Sequence, residues 1–253
     1  MKNVAISILA IASFTILFSC KNDSKNSEET QAVVTDSIPT ETMPEAMYVT
    51  AVSGLTLREF PNLQSAKLAV MPLGTKVKIV NAEGKTTMNV GGIDGAMDEV
   101  EFNNKKGFVF NGFLSKFFPA GKDASAKNYA EELKKDFPSV NYTEATGGTT
   151  SKPTKNETLV LPTDKWYEAF FTAQQLFAIP KAFAFPNPKG SNNETQQNGA
   201  KKKADFISEL QISRDDNVLQ KIVYNYKTTG FGYTVTITKE ADGMKLEKVE
   251  VAD

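Results

Sequence analysis

A single cysteine, Cys20, stands in 253 residues. No disulfide can form within the chain, so whatever it folds into must be held by a buried core rather than by cross-links. The 17 phenylalanines supply apolar bulk for such a core. Cys20 also closes an apolar run. Lys2 gives a positive start, residues 4–18 are almost entirely apolar, and Leu17-Phe18-Ser19 leads into the cysteine. This is the layout of a signal peptide over 1–19. The run falls short of the roughly 20 residues that span a bilayer, and no second long apolar run follows Lys21.

Leu17-Phe18-Ser19-Cys20 resembles the lipobox of bacterial lipoproteins. The resemblance implies cleavage before Cys20, a diacylglyceryl group on its thiol and an acyl chain, such as palmitate, on its new amino group. One acyl chain holds a protein only marginally, whereas two or three anchor it. The thiol is consumed by the lipid, and the expected partner is a membrane. An aspartate after the cysteine would resemble the inner-membrane retention signal of enteric bacteria, but Lys21 stands there. Cys20-Lys21-Asn22-Asp23 resembles the charged tetrapeptide that sends some Bacteroidetes lipoproteins to the cell surface. The expected location is the outer membrane, on its periplasmic or its surface face. Residues 21–45 are mostly Asn, Ser, Thr, Glu, Asp and Lys, too polar to offset the entropy of ordering. The lipidated terminus and a disordered tether therefore occupy 20–46, with a reach of about 25–30 Å. Asp36-Ser37-Ile38 within it resembles the Bacteroidetes O-glycosylation acceptor.

Bases and acids nearly cancel, 29 against 30, which leaves no basic excess and no expected nucleic-acid partner. Lys201-Lys202-Lys203 sits among Asn and Gln and reads as a solvated loop. Histidine is absent. That excludes Ser-His-Asp and Cys-His hydrolases and histidine-ligated zinc; no metal or other cofactor is expected. Two converging carboxylates remain open as a route to glycoside hydrolysis, yet no Asp or Glu stands in a setting that suggests it.

Residues 47–118 read as short strands and turns. Thr75-Lys76-Val77-Lys78-Ile79-Val80 alternates with period two, as does Glu99-Val100-Glu101-Phe102. Asn103-Asn104 turns the chain back into Gly107-Phe108-Val109-Phe110. Seventy or so residues of this kind suit a small barrel. Ser53-Gly54-Leu55-Thr56-Leu57-Arg58 followed by Pro61 resembles the opening of a bacterial Src-homology-three (SH3-like) domain. Leu73-Gly74-Thr75-Lys76-Val77 is similar to its Gly-Thr-x-Val strand start, and Gly107-Phe108-Val109 with Phe113-Leu114 to its closing motif. Phe60 departs from a usual glycine, Met97 stands near the family's central tryptophan, and residues 85–95 are an insertion. The resemblance implies binding to peptidoglycan, its cross-bridge peptides or a protein partner. Tyr48, Arg58, Phe60, Phe108 and Phe110 are its candidate ligand-binding residues; in a barrel this small the same aromatic rings also serve as core.

Over 119–160 the sequence predicts a helix and a linker. Ala126, Tyr129, Ala130, Leu133 and Phe137 recur at helical spacing across 125–136, and Pro138 stops them. Residues 141–157, rich in Thr, Gly and Lys, read as the linker. Over 161–253 an α+β domain is predicted. Thr163 is the expected N-cap of a helix whose apolar face carries Trp166, Ala169, Phe170, Ala173, Leu176 and Phe177. A four-stranded antiparallel meander follows over 206–251, with turns at Asp215-Asp216-Asn217 and Ala241-Asp242-Gly243. Residues 187–203 read as an exposed loop.

The fold class expected is mostly β with an α+β half: a small Src-homology-three-like barrel, then a helix packed on a four-stranded sheet. The function expected is that of a non-enzymatic cell-envelope lipoprotein whose barrel binds peptidoglycan or an envelope protein. The alternative is a small-ligand site, or carboxylate-based hydrolysis, in the C-terminal half.

Overall fold

The computed structural model describes residues 45–198 and 206–252. Cys20, the apolar run before it, the acceptor-like Asp36-Ser37-Ile38 and Lys201-Lys202-Lys203 lie outside the described residues. Among the described residues the architecture is mostly β, with two seven-stranded antiparallel sheets, a two-stranded ribbon and two α-helices.

The first sheet is built from β1 (Ala46–Val49), β2 (Leu55–Arg58), β3 (Lys67–Met71), β4 (Lys76–Asn81), β7 (Met97–Phe102), β8 (Lys105–Phe110) and β9 (Leu114–Ser115). Their order is β3-β2-β8-β7-β4-β1-β9. Alternation puts Leu55, Leu57, Met71, Val77, Val100, Val109 and Leu114 on one face, where they form a closed apolar core with Val49. The ladder ends at β3 on one side and at the two-residue β9 on the other. The sheet is thus open, and the closed barrel expected from sequence is not formed. Within the ladder, β2 joins β8 at the single pair Arg58–Phe108. Asn103 and Asn104, at φ 48° and 60°, make the expected tight turn between β7 and β8. The insertion at 85–95 is not a plain loop. It forms a ribbon of β5 (Met88–Val90) and β6 (Ile93–Gly95), turned by Gly91-Gly92.

The second sheet holds β10 (Asn141–Thr149), β11 (Lys152–Leu161), β12 (Asn193–Gln197), β13 (Ile207–Asp215), β14 (Val218–Thr228), β15 (Phe231–Glu240) and β16 (Gly243–Ala252). Its order is β10-β11-β16-β15-β14-β13-β12. The predicted meander is β13 to β16. Three further strands correct the sequence reading. The expected linker at 141–157 is the β10–β11 hairpin, which pairs with β16 from Thr154–Val251 to Leu161–Met244. β10 is an exposed edge strand, so it needs no apolar face, and its Thr and Gly content hid it. The expected loop at 187–203 contains β12, the opposite edge, paired with β13.

Helix α1 (Ala126–Leu133) starts at Ser125, whose Oγ accepts the Asn128 N–H, and buries Ala126, Tyr129, Ala130 and Leu133. Helix α2 (Trp166–Leu176) covers the second sheet with Ala169, Phe170 and Ala173. Its N-cap is Lys165 rather than Thr163. The Thr163 hydroxyl instead accepts the Lys165 N–H and donates to the buried Glu168 carboxylate, which fastens the turn ahead of the helix.

A buried arginine holds the β12 edge. Arg214 on β13 donates through Nε and Nη2 to Asn187 O (3.0 and 2.7 Å), through Nη1 to Ser191 O (2.9 Å), and through Nη2 to Glu194 (2.9 Å). One planar fork thereby satisfies backbone carbonyls that no strand reaches. Removing a buried, fully bonded charge leaves those acceptors bare. Arg214→Ala should lower the unfolding free energy by roughly 3 kcal/mol, seen as a fall in denaturant midpoint at unchanged slope. An unmoved midpoint would show that the fork contributes nothing.

Candidate functional site: a cleft between the first sheet and α2

Cross-strand pairs share a face, so register shows which side chains of the first sheet point away from its core. The row Lys67–Arg58–Phe108–Glu99 runs across β3, β2, β8 and β7 on that outer face, and Thr56 lies opposite Val70. Phe110 and Met97 pair on the same face and bury themselves under Ile93 of the ribbon. What remains open is a cleft of about 470 Å³. Its floor is Thr56, Arg58 and the 51–55 turn; its walls are Leu63, Val90, Phe110, Phe113 and Tyr167.

Tyr167 belongs to α2, so one wall comes from the helix that covers the other sheet. Its ring meets Phe113 edge-on at 5.4 Å and stacks on Phe171 at 6.1 Å. Its hydroxyl donates to Thr50 O at 3.3 Å. Burial pushes the phenol up to about 12, so it stays a neutral donor at physiological pH. Arg58 is the charged group of the lining. Its Nη1 donates to Ser65 O at 2.9 Å, which orients the guanidinium; among the described residues no carboxylate pairs with it.

Of the five candidates named from sequence, Arg58 and Phe110 line the cleft and Phe108 shares their face, one strand over from Arg58. Phe60, 57% exposed, sits on the β2–β3 loop outside the lining. Tyr48 lies elsewhere, edge-on to Phe118 with the Lys76 ammonium over its ring. Tyr167 escaped the sequence reading because the apolar face assigned to α2 was a single stripe. Tyr167 and Phe171, four residues apart, form a second stripe.

A buried carboxylate holds the cleft wall. Asp98 Oδ1 accepts Glu83 N–H and Asn111 Nδ2, and Asn111 Oδ1 accepts Ala96 N–H, which fixes the turn carrying Phe110 and Phe113. In the second sheet, Glu144 and Glu157 are directly opposed. Both lie within hydrogen-bond distance of the Tyr142 hydroxyl and within 3.4 Å of Lys155. Tyr142, then Lys155, holds the Glu144 carboxyl below the usual range. Glu144 therefore offers no proton at neutral pH, which the acid of a glycosidase pair must do. Among the described residues no three His, Cys, Asp or Glu side chains are grouped to hold a metal, and no helix is long and apolar enough to cross a membrane.

No protein-family model, curated protein or solved structure matches this chain.

Burial raises the Asp98 carboxyl above its ordinary value. With the folded value above the unfolded one, the stability this group contributes is complete below about pH 4 and is lost as pH rises through the raised value. Asp98→Asn keeps the Oδ1 acceptor and removes the charge. It should therefore raise the melting temperature at pH 7, with the gain shrinking to nothing below about pH 4. A gain that persists unchanged at low pH would assign it to something other than ionisation.

Proposed function

We propose that this chain is a non-enzymatic, lipid-anchored protein of the outer membrane that binds the peptide part of peptidoglycan in the Arg58 cleft. The observation that carries the proposal is one guanidinium, already oriented by Ser65 O, in a cleft otherwise walled by Leu63, Val90, Phe110, Phe113 and Tyr167. Ligand clefts commonly combine apolar walls with a few placed polar groups. An arginine in such a setting recognises carboxylates through paired N–H donors, and wall peptides carry carboxylates along their length and at their ends.

Support for a Src-homology-three-like reading of the first sheet comes from its motifs in their strands. Leu57-Arg58 is in β2, Gly74 turns at φ 82° ahead of β4, and Gly107-Phe108-Val109 is in β8. The lipid anchor rests on Leu17-Phe18-Ser19-Cys20 and on the absence of any other cysteine. The absence of histidine supports a binding role over hydrolysis.

Two experiments test this. Full-length chain in mild detergent should be retained on purified peptidoglycan sacculi, and Arg58→Ala should cut retention about tenfold, the scale of one charge-assisted hydrogen bond. No retention would contradict wall binding and turn the cleft towards an envelope protein. Expressed in a bacterium that processes lipoproteins, the chain should partition with membranes, and Cys20→Ala should move it to the soluble fraction. A variant that stays with membranes would contradict the anchor.

A further inference from the structure

β3 is an edge of the first sheet, hydrogen-bonded to β2 on one side only. An edge strand presents a row of backbone N–H and C=O groups without partners, and proteins usually protect such edges with charge, proline or cover. This one is bare. Among the described residues, Val52, Phe60, Leu63, Leu68 and Val70 are all exposed, and all belong to the β2–β3 hairpin or the turn before it. Val70 is 58% exposed. It faces the same side of the sheet as Thr56 in the cleft floor, and it touches the turn at Gly54, where a Cβ would come within 2.9 Å of Val70 Cγ1. Edge and cleft are therefore one continuous surface. A bulge at Leu57/Arg58 pushes Leu68 out of the regular register, which widens the apolar strip at the open side.

Charge specifies the ligand further. Lys67 on β3 and Arg58 on β2 are paired across the strands, and neither forms an ion pair among the described residues. An unpaired backbone edge is matched by another extended backbone. Alternate exposed apolar side chains are matched by alternate apolar side chains, and two free cations at one end are matched by a carboxylate.

We infer that β3 binds an extended peptide as an added antiparallel strand, its apolar side chains on Leu68 and Val70 and its carboxylate on Arg58 and Lys67. This rests on the peptide-binding reading above and adds the conformation and chemistry of the ligand. A linear glycan strand, with no amide ladder, is excluded as the occupant of this edge.

The test is fluorescence anisotropy of the full-length chain in mild detergent with a fluorescein-labelled peptide, Gly-Thr-Val-Thr-Val-Ala, ending in a free carboxylate. The same peptide as C-terminal amide, and with alternate backbone nitrogens methylated, serves for comparison. Saturable binding is expected, at least tenfold weaker after N-methylation and about tenfold weaker for the amide or with Arg58→Gln. Val70→Lys, at an exposed position and checked for an intact fold by circular dichroism, should weaken binding at least tenfold. Equal binding of the methylated peptide, indifference to Val70→Lys, or no binding by the unaltered chain would each overturn strand addition. So would a concentration-dependent dimer lost on Val70→Lys, which would make a second copy the occupant. Sacculus retention without peptide binding would overturn strand addition and leave wall binding standing. Peptide binding without sacculus retention would do the reverse.

Discussion

The hydroxyl of Tyr167 on the carbonyl of Thr50 is the contact on which the rest of the structure turns. It brings α2 against the first sheet while Ala169, Phe170 and Ala173 of the same helix are buried on the second. One helix is thus shared by two cores. Phe113 and Phe185 close around the Tyr167 ring edge-on, so the bond is made in an apolar setting where an unpaired hydroxyl would be costly. Gly92 of the ribbon reinforces the junction. A Cβ there would come within 2.9 Å of Asn187 Cα, a closeness that suits glycine alone. The cleft follows from this arrangement. Without α2 the wall made by Tyr167 is missing.

The buried polar groups divide the labour in a consistent way. Arg214 gathers the carbonyls of Asn187 and Ser191, and Asp98 with Asn111 fixes the turn of Phe110 to Phe113. Each satisfies irregular backbone, and each is itself satisfied. Arg58 differs: it is bonded once and otherwise open to the cleft. Like Lys67, its cross-strand partner on the first sheet's outer face, it forms no ion pair among the described residues.

How much of this was legible in the sequence depended on whether a segment has one wet face and one dry. β4, β7 and the meander β13 to β16 alternate cleanly, and the β7–β8 turn at Asn103-Asn104 and the β13–β14 turn at Asp216-Asn217 carry residues that tolerate positive φ. β10 and β12 could not be read that way. Both are edges with polar side chains on both faces, and their strand character comes from the neighbours they pair with. The site was half legible. Among the residues lining the cleft, Arg58 was visible as the end of the Leu55-to-Arg58 motif and Phe110 as the end of the strand that returns from Asn103-Asn104. Tyr167 was not, because only the tertiary fold brings residue 167 to residue 50. Phe60 and Tyr48 were chosen for aromaticity, which by itself does not decide which face of a strand or loop a ring occupies.

The central claim is that the two sheets are one cooperative structure, joined through α2. Scanning calorimetry of the full-length chain tests it most directly. A single transition whose calorimetric and van't Hoff enthalpies agree, lost or broadened with Tyr167→Ala, is the result predicted. Two separate transitions in the unaltered chain, with neither moved by Tyr167→Ala, would contradict it.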